Sequence, residues 1–267
     1  MRYPPQVIWI DDGGRQRDLG LIVPPPALRD VVEHFWIQGL MPKPLWRVVP
    51  DLSAHVIFSI TSTSRGLSAS SVVVGARSRY CDINVAGRVL TIGARLRPGA
   101  LPHLLRDSAS QLTDRTVALD RIVGRAGLTL VEQMTEVRQD EALRVFAEFF
   151  NDRLDSATPS LPQNLIRGVT SVTDLARALS LSRRGAYDRL STTVGLPPKL
   201  ALRIHRLHRA LFALNTGVSP SDAAATAAYC DQAHFTREAT CLLGETPGAW
   251  VRRGCSILQD SSSPRGR

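Results

Sequence analysis

The spacing of apolar residues changes part-way along this chain. Leu90, Ile92, Ala94 and Leu96 alternate with Thr91, Gly93, Arg95 and Arg97. That period of two marks a half-buried strand, ended by Pro98-Gly99. Shorter runs predict strands at residues 7–10, 46–49, 55–60 and 72–75, with Asp11-Asp12-Gly13-Gly14 turning the chain after the first. Leu28, Val31, Val32 and Phe35 fit a helical face after Pro24-Pro25-Pro26, and residues 35–37 fit the opening of a strand equally well. Over residues 128–154 the pattern is helical, with Leu143, Phe146 and Phe150 on one side. Residues 155–163, rich in Ser and Pro, read as a linker. Beyond it, Leu200, Ile204, Leu207, Leu211 and Leu214 recur at steps of three and four, which gives one apolar helical face with Arg203, Arg206 and Arg209 off it.

Either side of that helix stand two stretches built to one template. The first has Ser171-Val172-Thr173-Asp174, Leu175, Ala176, Ser182, Gly195 and Pro198; the second has Ser219-Pro220-Ser221-Asp222, Ala223, Ala224, Asp231, Gly244 and Pro247. The offset is 48 residues through the first helix of each copy and 49 after it, so one extra residue falls in the turn between two helices. Ser171 and Ser219 are N-caps, with Asp174 and Asp222 as capping-box partners and Pro220 at a first helical position. Ser182 and Asp231 cap a second helix, which stops near Gly195 or Gly244, where a positive φ is easily placed. Each copy is therefore a helix-turn-helix, whose second helix such motifs present to the DNA major groove. The connecting helix, residues 198–215, is about 25 Å long at 1.5 Å per residue, against about 34 Å between successive major-groove faces.

The runs GLPPKLALRIHRLHRALFAL and YCDQAHFTREATCLLGETPGAW resemble the DNA-binding domain of AraC/XylS-type transcription regulators over residues 164 to 253. Tyr229, Asp231, Gln232, His234, Phe235, Arg237, Gly244, Thr246 and Pro247 stand where the family pattern has them. VEHFW, VPDLSAHVIF and RLRPGALPHLL resemble, more loosely, the β-rich N-terminal domain of some of these regulators. The chain departs from the pattern in both recognition helices. Ala186 stands for a large apolar residue and Asp188 for a basic one; Ala239 stands for an aromatic and Thr240 for a basic residue. Gly185 lowers helix propensity by about 1 kcal/mol relative to Ala, and Asp188 is able to accept from cytosine N4. The resemblance implies base readers at Arg183, Arg184 and Tyr187 in the first unit and at Gln232, Thr236 and Arg237 in the second. It places His234 near the backbone or a base edge and Phe235 in the interior. Arg203, Arg206 and Arg209 are candidates for phosphate contact, with Arg206 at a position that in the family also pairs within the domain.

Charge supports a nucleic-acid partner. The net charge is +9, of which residues 160–267 carry +7 and residues 1–159 only +2. Concentration of positive charge in one half is what phosphate neutralisation requires. An arginine-rich composition, with Lys43 and Lys199 the only lysines, explains the choice of arginine but not the asymmetry.

Other chemistry is sparse. No apolar stretch approaches 18 residues and no N-terminal apolar run has a basic flank, so neither a membrane span nor a signal peptide is expected, and a cytoplasmic location is. Cys81, Cys230, Cys241 and Cys255 form no Cys-x-x-Cys pair and read as single thiols. Some regulators with this kind of domain accept alkyl groups on a zinc-bound cysteine, but Cys81 is the one cysteine of the N-terminal half. With no Gly-rich phosphate loop, Gly-x-Ser-x-Gly or His-Glu-x-x-His either, neither an enzyme nor a cofactor is expected. Trp36, Trp46, Phe58 and His55 fit core packing or a pocket lining. His34, His55 and His103, and the pair His205 and His208, lack the clustered spacing of a metal site. Arg77, Arg79, Arg95 and Arg97 read as a solvated face.

The expectation is an α+β protein. It has a β-rich N-terminal domain of regulatory or dimerising role with a helical tail (residues 1–154), for which a cupin-like barrel is one form, and a linker (155–163). An all-α domain of two helix-turn-helix units joined by a linker helix follows (164–254), then a disordered tail (255–267). Its partners are double-stranded DNA, a small-molecule effector, a second copy, and RNA polymerase if it activates. The alternative is an interaction protein whose degenerate helix-turn-helix domain does not read DNA.

Overall fold

In the computed structural model, which describes residues 7–9, 19–40, 43–64, 66–85, 87–153, 161, 165 and 168–253, the alternating segment becomes the central strand of a sheet. The strands, in chain order, are β1 (Val7–Trp9), β2 (Leu19–Ile22), β3 (Val32–Leu40), β4 (Lys43–Val48), β5 (His55–Thr63), β6 (Gly66–Val74), β7 (Cys81–Val85), β8 (Arg88–Leu96) and β9 (Thr116–Ala118). Seven of them form one antiparallel sheet in the order β1-β2-β3-β8-β5-β6-β9, while β4 and β7 pair as a separate ribbon. Of the two readings open for residues 28–37 the strand holds: a 3-10 turn at Pro26–Leu28 gives way to β3 at Val32.

One sheet face carries Phe35, Ile37, Val56, Phe58, Ile92, Ala94 and Leu96 into the main core. Helices α1 (Pro102–Leu105), α2 (Asp120–Val123), α3 (Arg125–Glu136) and α4 (Gln139–Asn151) follow. Leu143, Phe146 and Phe150 of α4 close over this face, with the Phe146 and Phe150 rings 6.0 and 5.9 Å from that of Phe35. The helical stretch expected over 128–154 is thus two helices, parted where Val137 and Arg138 turn extended. The apolar period runs through both, so the sequence does not mark the break.

The other sheet face overturns the solvated reading for Arg95. Thr91 and Arg95 are buried along with Gly93, because β8 lies between β3 and β5 and this face is covered as well. The Trp36 ring sits on Gly93, where a β-carbon would come within 2.1 Å of it. Arg95 donates from Nε to Glu33 at 2.7 Å and from both terminal nitrogens to Asp51. His55 Nε2 donates to the same Asp51 at 3.1 Å. The guanidinium beside Asp51 holds its carboxyl far below the usual carboxylate range despite burial. Arg79 is exposed, and the half-buried Arg77 and Arg97 donate to the carbonyls of Asp114 and Arg29. Phe58 is core, and His34 and His55 border the Arg95 cluster. Among the described residues no group of three His, Cys, Asp or Glu is placed to hold a metal ion.

The remaining helices form the C-terminal half: α5 (Val172–Ala178), α6 (Arg183–Thr193), α7 (Pro198–Asn215), α8 (Pro220–Thr226), α9 (Gln232–Leu243) and α10 (Pro247–Arg253). Among the described residues no helix is long and apolar enough to cross a membrane. Cys81, Cys230 and Cys241 are unpaired thiols. Cys255, Ile10, the turn at 11–14, the side chain of Trp46, the tail at 255–267 and the linker at 155–163 lie outside the described residues, except for Leu161, which is buried against the first helix-turn-helix unit.

Candidate nucleic-acid interface

The same cap chemistry starts all four helices of the two units. Ser171 Oγ accepts from Asp174 N at 3.1 Å and Ser219 Oγ from Asp222 N at 3.1 Å; in both, the serine hydroxyl also donates to the aspartate at 2.7 Å. Ser182 accepts from Gly185 N at 3.0 Å, and Asp231 from His234 N at 2.6 Å. Each satisfies an amide that the first helical turn leaves open. The turns match too. Ser180 and Ala228 both take a positive φ, and Leu181 N and Tyr229 N donate to the equivalent carbonyls of Ala176 and Ala224 at 2.9 Å. Registers therefore agree up to Leu181 and Tyr229, and the extra residue of the second unit is the exposed Cys230. Gly195 and Gly244 end the second helices with φ of 88° and 70°.

With that register fixed, the departures Ala186 and Ala239 acquire a physical account. Ala186 corresponds to Phe235, and Leu190 to Ala239, and all four are fully buried. The first unit places its large side chain one turn later than the second. Bulk is exchanged along the helix, so both units still fill their interiors.

The outward faces follow from 3.6 residues per turn. In α6, Ala186, Leu190 and Thr193 point inward, which turns Arg184, Asp188 and Ser191 outward, with Tyr187 exposed on one flank. In α9, Phe235, Ala239 and Leu242 point inward, which turns Ala233, Arg237, Thr240 and Cys241 outward. Arg183, Arg184, Gln232 and Arg237 are exposed, and among the described residues no side-chain partner holds them. Asp188 and Arg237 occupy equivalent positions with opposite charge. An open groove of about 440 Å³, lined by Leu179, Leu181, Gly185, Asp188, Arg189 and Thr192, runs beside the first outward face.

Residues 175–253 match a family described as a helix-turn-helix domain. The C-terminal domain is an AraC/XylS-type helix-turn-helix domain. This places the chain among DNA-binding transcription regulators. Residues 21–118 match a family described as a domain of unknown function. No curated protein matches the chain. Among solved structures, ToxT from Vibrio cholerae O395 is 10% identical, with 84% of this chain and 99% of that chain covered at a TM-score of 0.44. An unsaturated fatty acid-bound wild-type ToxT from Vibrio cholerae strain SCE256 is 12% identical, covering 85% and 98% at a TM-score of 0.45.

Within the AraC/XylS-type domain several expected contact residues are engaged internally. Arg203 donates to Glu238, whose side chain is 9% exposed, at 3.4 Å, and His234 Nε2 lies 3.5 Å from the same carboxylate. Arg206 lies over the Tyr229 ring at 5.3 Å. Tyr229 packs on Phe235, and burial pushes its hydroxyl above the usual range. Arg209 donates to the Thr226 carbonyl at 2.7 Å. These groups fasten α7 to the second unit. Thr236 turns its hydroxyl back onto the Gln232 carbonyl at 2.9 Å, which leaves it an acceptor toward solvent. The outward positions Ser191, Ala233 and Cys241 were not singled out by the sequence; the 49-residue offset, laid over Thr240 and Arg184, finds Ser191 and Ala233, while Cys241 pairs with the equally unmarked Thr192.

The AraC/XylS-type domain also meets the N-terminal domain at the C-terminal ends of both recognition helices. Thr113 Oγ1 donates to the Gly195 carbonyl at 2.6 Å. Tyr80 N donates to the Leu242 carbonyl at 2.9 Å, and Arg47 reaches the carbonyls of Leu243 and Gly244 at 3.3 and 3.4 Å. Arg47 also grips Asp82 through two 2.7 Å hydrogen bonds and lies over the Tyr80 ring. His208 Nε2, near the middle of α7, donates to the Pro50 carbonyl at 2.7 Å.

Proposed function

We propose that this regulator reads two adjacent major-groove segments of one operator, α6 in one and α9 in the other, with α7 as the strut between them. The observation that carries this reading is the pair of capped helix-turn-helix units whose second helices leave Arg183, Arg184, Gln232 and Arg237 exposed and unheld. Arginine pairs bidentately with guanine and glutamine with adenine, whereas Asp188 suits a cytosine amino group. Arg184, Asp188 and Tyr187 are assigned to the first half-site, with Arg183 at its edge, and Gln232, Thr236 and Arg237 to the second. Arg203 and Arg206 are assigned to holding the domain together, and His234 to a backbone-side position. Because Asp188 and Arg237 differ in charge at matched positions, the two half-sites differ in sequence.

For the N-terminal domain the resemblance supports a sensing or dimerising role. The half-buried sheet face around Trp36, Gln38 and Ile57 is where a small molecule would be sensed.

The test is selection of the full-length protein on a random duplex library at two salt concentrations. A non-palindromic motif with two parts about one helical turn apart is the expected result. A single half-site means that the first unit does not read bases. Salt-sensitive binding without enrichment means that the helix-turn-helix domain serves another partner.

A further inference from the structure

The two helix-turn-helix units have separate cores. Leu175, Leu190, Val194 and Leu196 pack on the first half of α7 through Ala201 and Ile204. Ala223, Phe235, Leu243 and Trp250 pack on its second half through Leu207 and Leu211. Joined by α7 alone, two such small bodies would rock about the helix. The N-terminal domain supplies further attachments. Between β4 and β5, Val49 packs against the second core and Leu52 belongs to the first, so four consecutive residues span both. Pro50, between them, takes the His208 hydrogen bond, and Asp51 is anchored in the opposite direction by buried Arg95.

The ends of both recognition helices are held as well. The last carbonyls of a helix lack intrahelical donors and carry partial negative charge. Thr113 supplies a donor to the end of α6; the Tyr80 backbone amide and the cationic Arg47 supply donors to the end of α9, where the Tyr80 ring, under Arg47, also packs against Gly244. None of these contacts covers Arg184, Asp188 or Arg237, whose outward faces stay exposed.

We propose that Arg47, Tyr80 and Thr113 are positioning residues for DNA recognition: through them the N-terminal domain splints the two units and fixes the separation and tilt of α6 and α9. The inference rests on the two-unit reading above. Binding by the second unit after the first is intramolecular, and its effective concentration depends on the stiffness of the connection. A stiff connection favours one half-site spacing sharply. A loosened one tolerates several spacings and loses affinity at the best of them, while affinity for a lone half-site is unchanged.

The experiment uses full-length protein and the motif it selects, rebuilt with the two halves moved closer or further by one and two base pairs, together with a duplex carrying one half. Wild type, Thr113→Val and the double variant Arg47→Gln/Tyr80→Ala are compared by competition binding. Wild type is expected to prefer one spacing about tenfold or more, within the range that linkage of two sites supplies. Each variant should cut that preference several-fold without changing half-site binding. Unchanged spacing preference in both variants overturns the positioning role and leaves the two-unit reading intact. A parallel fall in half-site binding overturns it too, since that is loss of the fold rather than of spacing. Failure of the wild type to select a two-part motif removes the two-unit reading and the inference together.

Discussion

Gly244→Ala isolates the contact between the domains. Gly244 has φ 70°, and a β-carbon there would lie 2.5 Å from Cε1 and Cζ of Tyr80. Two costs add. The left-handed backbone costs a non-glycine residue about 1–2 kcal/mol. The ring must also shift, which strains the Tyr80 N–Leu242 O bond, worth about 0.5–1.5 kcal/mol, and the Arg47 stacking on the ring at 4.3 Å, worth about 0.5–1 kcal/mol. Gly217, which follows α7, is the control: its φ is 89°, but nothing lies within 4 Å of its added β-carbon. Gly217→Ala should show the backbone cost alone, and Gly244→Ala should exceed it by about 1–2.5 kcal/mol, the sum of the weakened contacts. Urea unfolding of the two variants measures the difference. In a Tyr80→Ala background the excess should vanish, because the clash has no partner. Equal destabilisation by the two alanines, within the scatter of about 0.5 kcal/mol for independent sites, refutes the contact.

Arg237→Ala should remove about 1–3 kcal/mol of discrimination at one base pair, read by competition among operator variants; equal losses on operator and random DNA deny it a reading role. Asp188→Arg, which copies the second unit's charge, should steepen the salt dependence of DNA binding by about one unit of log–log slope. An unchanged slope in a salt titration places residue 188 away from the duplex. His34 is pushed down to about 4, by burial first and then by the Arg95 charge, whereas the unfolded chain takes up this proton near 6.5. Between those values the unfolded state binds more protons, so stability rises with pH, and acidification from pH 7 to 4 should cost about 3 kcal/mol. His34→Gln should flatten that part of the stability profile; an identical profile would show that His34 is not the group responsible.

What was legible in the sequence is what is local. Ser171, Ser182, Ser219 and Asp231 announce themselves because a cap needs only a side-chain oxygen three residues before an amide, and each makes that bond. The period of the central strand was equally plain. The fate of its polar side was not, because the partners of Arg95 are Asp51 and Glu33, 44 and 62 residues away. Strand β6 was foreseen only near its end, since Gly66 to Ser71 has no apolar alternation to read. The interdomain contacts at Thr113, Tyr80 and Arg47 had no signature at all: they end on backbone carbonyls, which no sequence pattern specifies.

The two units diverge in an ordered way, and the order bears on how the protein sits on DNA. Inside, Ala186 with Leu190 and Phe235 with Ala239 trade bulk along the helix, as a close-packed interior demands. The caps and end glycines fix where each helix starts and stops, and they are the same or equivalent in both units. Outward positions meet neither demand, and there the copies differ in charge, with Asp188 opposite Arg237 and Arg184 opposite Ala233. A palindromic operator would present the same base edges to two unlike surfaces. On such a site Asp188 would face the guanine acceptors that suit Arg237, at a cost of unmatched polar groups. On the two-unit reading proposed above, two unlike readers on one strut select one orientation along the duplex, which gives a single chain a direction relative to its operator.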